Sequence, residues 1–428
     1  MNETSRTARH AERRYEIFVQ RNLTRNFFAH LLHGMLGQTG FRFINAPTFI
    51  PAYLLMLSGG SNLVVGLALS VQGFGQMLTP TVGANLISHR GRVLPVGVVV
   101  GSMMRICVLV MGVAGLVLEP RGTLIAIICL MALFGMFEGM QGVIFNFLMS
   151  KVIPVSKRGR LTGLRNFLAG ITTAIVAYIG GTYLIGSESS ITGYSWMFVL
   201  AFVLTSFGLI SLVAVREPEP PTVKSRVSLL KQFQEIPDLL RSDKAFTRYF
   251  IARAIATMGR MAMPFYILYA GNSIGLSGET LGIITFAFTM SGTVSNLVWG
   301  AIADARGFRL VFLISSMLWV VSSALLIVLP TFTLTVVVFS GIGAASQGFE
   351  NSSRNMVLEF GDRENRPIRI AIANTVAQIA GSIGPLLGGA LATWYGYESV
   401  FLLAIFFLVI GALLVFLFVP EPRNRVVE

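Results

Sequence analysis

Apolar runs of roughly 20 residues, long enough to cross a bilayer as helices, recur from residue 27 to residue 419 with polar turns between them. They predict twelve spans, at 27–57, 62–88, 93–118, 122–150, 160–184, 195–215, 247–272, 280–304, 308–329, 331–355, 370–394 and 399–419. The first is long for one crossing and carries Pro47 and Pro51, so it is expected to kink or tilt. The longest polar stretch, 216–246, separates six spans from six and contains "SLLKQFQEIPDLL", which reads as an amphipathic helix lying along the membrane interface. The pattern therefore predicts an all-α, multi-pass membrane protein. It has a tail (1–26), a six-helix bundle (27–215), a linker (216–246), a second six-helix bundle (247–419) and a short tail (420–428).

The polar turns are of two kinds. "LSGGSN", "LEPRG", "GSESSITGY", "GNSIGLSGET", "LPTFT" and "YGYES" hold a single basic residue, Arg121, whereas the head, the linker and the alternate loops are rich in Lys and Arg. Basic residues on every second loop predict that both termini and the linker are cytoplasmic. The formal charge of +13 is thus an orientation signal and not a nucleic-acid footprint, for which stacking aromatics or a soluble basic domain would be needed. Only 12% of the 428 residues are charged, well below a soluble domain, and the bilayer is the partner this composition requires. The charged head lacks the apolar core and cleavage site of a secretory signal. Cys107 and Cys129 fall inside spans and read as small core residues, with no disulfide framework or zinc site to be built from them.

The two halves repeat. "PAY" at 51–53 answers "PFY" at 264–266, "MQGVIFN" at 140–146 parallels "SQGFEN" at 346–351, and "YIGG" at 178–181 parallels "LLGG" at 386–389. Glu-Pro closes each half, at 217–218 and 421–422. Duplicated halves of this kind are the architecture of alternating-access transporters. "GAIADARGFR", with Gly300, Asp304, Arg306, Gly307 and Arg309, resembles the loop signature of the major facilitator superfamily between spans eight and nine. The matching first-half loop is degraded to Arg90, Gly91 and Arg92, with Ala84 and Ser88 in place of the leading Gly and the Asp. "GSIGPLLGG", with Gly381, Gly384, Pro385, Gly388 and Gly389, resembles the Gly-Pro packing motif of the superfamily, but on span eleven. Drug–proton antiporters carry that motif on span five, where this chain has Val176-Ala177 instead. The resemblance implies the major facilitator fold, rocking of two halves, and a gating role for the loop arginines and Asp304. The arginine-rich head running into "RNLTRNFFAHLLHGMLGQTGF" is also similar to the MamH-type permeases of magnetosome membranes, which would imply iron handling for magnetite formation.

Charges inside spans face the bundle interior as a rule and are the first candidates for a substrate or ion path. They are Arg42, Arg105, Glu138, Arg253 and Arg260. Arg105 and Glu138 stand at equal depth in the hairpin of spans three and four. That suggests a buried ion pair, either structural or one in which Glu138 exchanges a proton. The superfamily resemblance makes spans one and seven cavity-lining, so Arg42 and Arg260 are expected to face the solute, the alternative being hydrogen bonds to carbonyls freed at proline and glycine breaks. Arg253 lies nearer the cytoplasmic end and is expected to snorkel. Glu350 is expected to pair with Arg354 one turn later. His30 and His33 share a face but make a thin ligand set, so no metal site is expected and they read as interfacial polar residues. No phosphate-binding loop is present and no cofactor or enzymatic activity is implied; energy would come from an ion gradient, by symport or antiport, or from the solute itself. Arginines outnumber carboxylates in the spans, which predicts a small anionic solute or chelate carried across a bacterial inner membrane. The alternatives are an iron-related permease of the magnetosome, moving iron or an iron chelate, and a scaffold or sensor that binds without transporting.

Overall fold

The computed structural model describes residues 13–218, 241, 243–328, 331–360 and 366–421; the amphipathic segment expected within the linker lies outside them. Among the described residues there are helices and turns and no strand. A short helix α1 (13–21) leads into α2 (Leu23–Asn45), α3 (Phe49–Leu57), α4 (Asn62–Leu78), α5 (Pro80–Ile87), α6 (Leu94–Val117), α7 (Pro120–Val152), α8 (Val155–Gly180) and α9 (Ile191–Val213). After the linker come α10 (Lys244–Met258), α11 (Met263–Ile274), α12 (Gly278–Arg306), α13 (Phe308–Val328), α14 (Phe332–Glu359), α15 (Arg366–Tyr395) and α16 (Tyr397–Phe418). Ten stretches among the described residues are single helices long and apolar enough to cross a bilayer, α4–α5 counting as one.

The first and seventh spans complete the twelve, and each is broken near its middle. In the first, Pro47 removes a backbone donor and the chain turns at residues 46–48 between α2 and α3. Pro51 then sits in the opening turn of α3, where a missing N–H costs nothing. In the seventh, a 3-10 turn at Gly259–Ala262 separates α10 from α11, and Pro264 occupies the opening turn of α11. The repeated "PAY" and "PFY" thus mark equivalent breaks. Span two, expected to be continuous, is interrupted at Thr79, before Pro80.

The chain forms two compact units. The first is built from residues up to Ile44, Phe74–Thr173, and Ser195 into the linker; the second takes Asn45–Gly73, Ala174–Tyr194 and the second half of the chain. Where α2, α7, α8 and α9 end on the linker side, Ala29, Leu148, Val152, Leu161, Leu209 and Leu212 pack together in the first unit. Outward faces are apolar: Leu297, Phe207 and Ile210 are exposed, as suits lipid. Cys129 belongs to that outward set and not to the core; Cys107 is buried.

In the second unit small residues bring backbones together. Gly66 on α4 lies against Pro385 and Gly389 of α15, and Gly181, just past the end of α8, lies against Gly278 and Gly282 of α12. A Cβ at Gly66 or Gly181 would run into backbone atoms, so these crossings exist because glycine stands there. Polar ties reinforce them: Leu386 N–H, just after the in-helix Pro385, donates to Ser70 Oγ at 2.9 Å, Tyr397 donates to Asn62 at 2.7 Å, and Thr48 and Thr285 hydroxyls meet at 2.6 Å.

Candidate substrate and ion path

In the first unit α2 acts as a slotted rail. Gly40 lies against Ala201 and Thr205 of α9, Gly208 of α9 lies against His33 and Gly37, and the Arg165 side chain from α8 fills the space beside Gly34. Because α2 is thin along this line, Arg105 of α6 and Arg165 of α8 reach it, and Arg42 stands on α2 itself. Arg105 is 3% exposed. Its Nε donates to the Thr205 carbonyl at 2.7 Å, its Nη1 to the Gly101 carbonyl at 2.6 Å, and its guanidinium lies 5.2 Å from the Phe41 ring. Arg165 sits 5.2 Å from the Phe145 ring, on which His30 and His33 also pack, at 5.3 and 5.2 Å. Arg42 donates to Gln38 at 3.1 Å, and Gln38 donates to Asn166 at 3.0 Å. Arg165 is within electrostatic range of Arg42 and, with Arg105, of His33.

The expected Arg105–Glu138 pair does not form. Arg105 directs its donors to carbonyls of α6 and α9, while Glu138 stands half-buried on α7 with contacts of its own. Among the described residues none of Arg42, Arg105 and Arg165 has a carboxylate partner. Two of the groups around Phe145 also lack hydrogen-bond partners: both ring nitrogens of the buried His30, and Arg165 Nε. His33 is satisfied, its Nδ1 donating to the Gly208 carbonyl at 3.0 Å. The cluster is therefore a run of cationic and neutral donors with unfilled capacity, suited to an oxyanion and unsuited to a metal cation.

The second unit carries a different arrangement. Glu350 on α14 accepts from Arg354 at 2.8 Å, as expected from their spacing, and also faces Arg260 at 3.6 Å, a contact that spacing cannot reveal. Arg260 sits in the 3-10 break of span seven and remains 44% exposed. Arg253 does not snorkel: it is buried, with Nη2 reaching Asn374 at 3.4 Å and Nε and Nη1 unpartnered. Arg260 and Arg354 thus share one carboxylate, with Arg253 within electrostatic range of it.

The loop motifs are anchored, each within its own unit. Glu217 accepts from Val93 N–H at 2.8 Å and Leu94 N–H at 2.8 Å, capping α6, and forms an ion pair with Lys151, which also donates to the Gly91 carbonyl at 2.7 Å. Ser88, in the Asp position, bonds only locally to the Asn85 carbonyl and toward His89, and Arg90 and Arg92 are exposed. In the second half Gly307 has φ +89°, ends α12, and lies against the Glu421 carboxylate. Arg309 donates to the Phe416 carbonyl at 2.6 Å, while Asp304 and Arg306 are exposed and Gly300 faces open space. In the span-eleven motif Gly384 and Gly388 face Met261 and Phe265, Gly389 faces Asn62 and Gly66, and Gly381 faces open space.

Arg165 was not among the sequence candidates. It stands inside the run 160–184, but beside Lys157, Arg158 and Arg160, and so reads as loop charge; its depth within the span was the available signal.

A family model of the Major Facilitator Superfamily matches residues 31–267 and 249–428. The chain is similar to the multi-drug resistance efflux pump PmrA homolog of Lactococcus lactis, 28% identical over 166 residues, which is 38% of this chain and 40% of that protein. It is similar to the hexuronate transporter of Bacillus subtilis, 21% identical over 179 residues and 42% of each chain. These matches span about two-fifths of the relatives' length. The crystal structure of a D-xylose–proton symporter superposes with a TM-score of 0.74 at 14% identity, covering 95% of this chain and all of that one. The chain belongs to the Major Facilitator Superfamily.

Proposed function

We propose that this protein is a secondary transporter of a small anionic solute, working by alternating access in a bacterial inner membrane with both termini cytoplasmic. The observation that carries the reading is the gathering of Arg42, Arg105 and Arg165 around α2 without a carboxylate partner, beside buried groups with unused hydrogen-bonding capacity. An arginine guanidinium matches a carboxylate or phosphate bidentately, whereas an organic cation would meet only repulsion there. A relative that carries a hexuronate supports a carboxylated solute, and a chelate bearing carboxylates falls in the same class. The broken first and seventh spans place Arg42 and Arg260 beside interruptions of the kind that build transporter sites.

Uptake into proteoliposomes tests this. Labelled hexuronates and other carboxylates should accumulate, neutral sugars and organic cations should not. Arg105→Met and Arg165→Gln should each reduce anion uptake at least about tenfold, the loss of one charged hydrogen bond of roughly 1.5–3 kcal/mol. Accumulation of cations with anions ignored would overturn the reading, and binding without accumulation would favour a scaffold or sensor.

Orientation has its own test in a Cys129→Ser background. An impermeant thiol reagent outside intact cells should label Glu188→Cys and Asn272→Cys, both exposed, and should spare Lys157→Cys. Reversed labelling would invert the topology.

A further inference from the structure

The head of the chain is more than a charged tail. Helix α1 runs into α2 with little interruption, Asn22 N–H bonding to the Phe18 carbonyl at 3.2 Å and Asn26 N–H to the Asn22 carbonyl at 2.9 Å. At about 100° per residue, Tyr15, Val19, Asn22 and Asn26 fall on one face. That face docks: Tyr15 donates to the Lys151 carbonyl at 2.9 Å, Val19 is buried, and Asn26 exchanges two hydrogen bonds with the Arg216 backbone at 3.0 and 2.9 Å.

A second line runs about a third of a turn away around the helix. Arg14, Phe18, Arg21, Arg25, Phe28 and Leu32 lie within about 40° of one direction, with Ile17 at its edge. Phe28 is 62% exposed and Leu32 43%, on the outward, lipid-facing side of span one. Moving toward the head, the same stripe becomes arginine at 25 and 21, then exposes Phe18 and Ile17, then ends in Arg14. Arg25 and Arg21 stand roughly 5 and 10 Å above Phe28 along the axis, within reach of lipid headgroups for a side chain that snorkels. Arg25 is held in place by its bond to the Ala214 carbonyl at 2.7 Å. α1 and the first turn of α2 carry Arg13, Arg14, Arg21 and Arg25 against one acid, Glu16.

We propose that this stripe is a docking surface for acidic phospholipid, with Arg14, Arg21 and Arg25 taking the headgroup charge and Ile17 and Phe18 entering the interface. Continuity with the lipid-facing side of span one argues for a membrane as the occupant. Arginines flanking an apolar pair argue for an acidic one. The docked face ends on Lys151, the residue that pairs with Glu217, so lipid capture bears on the brace at the start of α6.

The test uses the full chain, Cys129→Ser, with a spin label at Ile17→Cys, in vesicles of phosphatidylcholine alone or mixed with phosphatidylglycerol. In the mixed vesicles the label should exchange contact with a water-soluble nickel chelate for contact with oxygen, and high salt should reverse this. Arg14→Gln and Arg21→Gln should each lower the ratio of docked to free label roughly fivefold. Both residues are exposed, so folding should be unaffected, which a matched thermal transition would verify. A label equally open to nickel in both vesicles overturns the proposal. So does one equally buried in both and indifferent to the arginines, since that would be apolar anchoring without recognition of acidic lipid.

Discussion

Glu217→Ala is expected to lower the unfolding free energy by about 3–5 kcal/mol, the usual consequence of leaving one member of a buried ion pair alone. The Glu217 side chain is 3% exposed and that of Lys151 6%. The carboxylate also accepts the first N–H groups of α6, so its loss opens that helix as well as stranding the ammonium. Lys151→Met should cost less, because the carboxylate keeps its backbone donors. The double variant should be more stable than the sum of the two single effects predicts, and a double-mutant cycle on thermal unfolding in detergent measures that coupling. Strict additivity would show that the two side chains do not act together.

Gly66→Leu is expected to shift the molecule away from the state described here, toward one open at the end where α4 meets α15. The Cβ would press on the Pro385 carbonyl, and a backbone atom in a packed crossing cannot rotate aside as a side chain can. Overpacking of this kind costs roughly 1–3 kcal/mol, a factor of about 5–150 in a two-state equilibrium. Thr48 and Thr285, fully buried against each other in this state, report the change. Thr48→Cys should resist an impermeant thiol reagent in the parent and react with it when Gly66→Leu is added, while solute uptake falls. Gly181→Leu, against Gly278 and Gly282, should act in the same direction. Unchanged reactivity in a monodisperse, helical variant would mean that these crossings do not gate the path.

The spans were legible because twenty apolar residues leave little choice of structure, and the breaks in spans one and seven were half legible through Pro47, Pro51 and Pro264. Depth could be read; direction around the helix could not. Arg105 and Glu138 share a depth, but α6 and α7 are apolar on nearly every face, so no periodicity shows which way either side chain points. Arg105 turns to α9, a partner about a hundred residues away in sequence that only packing reveals. Arg253 failed for the same reason: proximity to a helix end suggested water, while the side chain faces the bundle. The slot beside Gly34 that receives Arg165 depends on how two helices cross, which composition does not record.

The two glutamates that close the halves also bear on biosynthesis. Glu217 emerges from the ribosome only after all six spans of its half, so until then the first turn of α6 lacks its acceptor and Lys151 lacks its counter-charge. A nascent chain halted earlier holds the apolar spans of its half but not this carboxylate. Six inserted helices become a settled half when residue 217 folds back to residue 93, and Glu421 returns to Gly307 as the later counterpart of that step. In each half, then, a single carboxylate synthesised after the spans closes contacts made by residues far earlier in the chain.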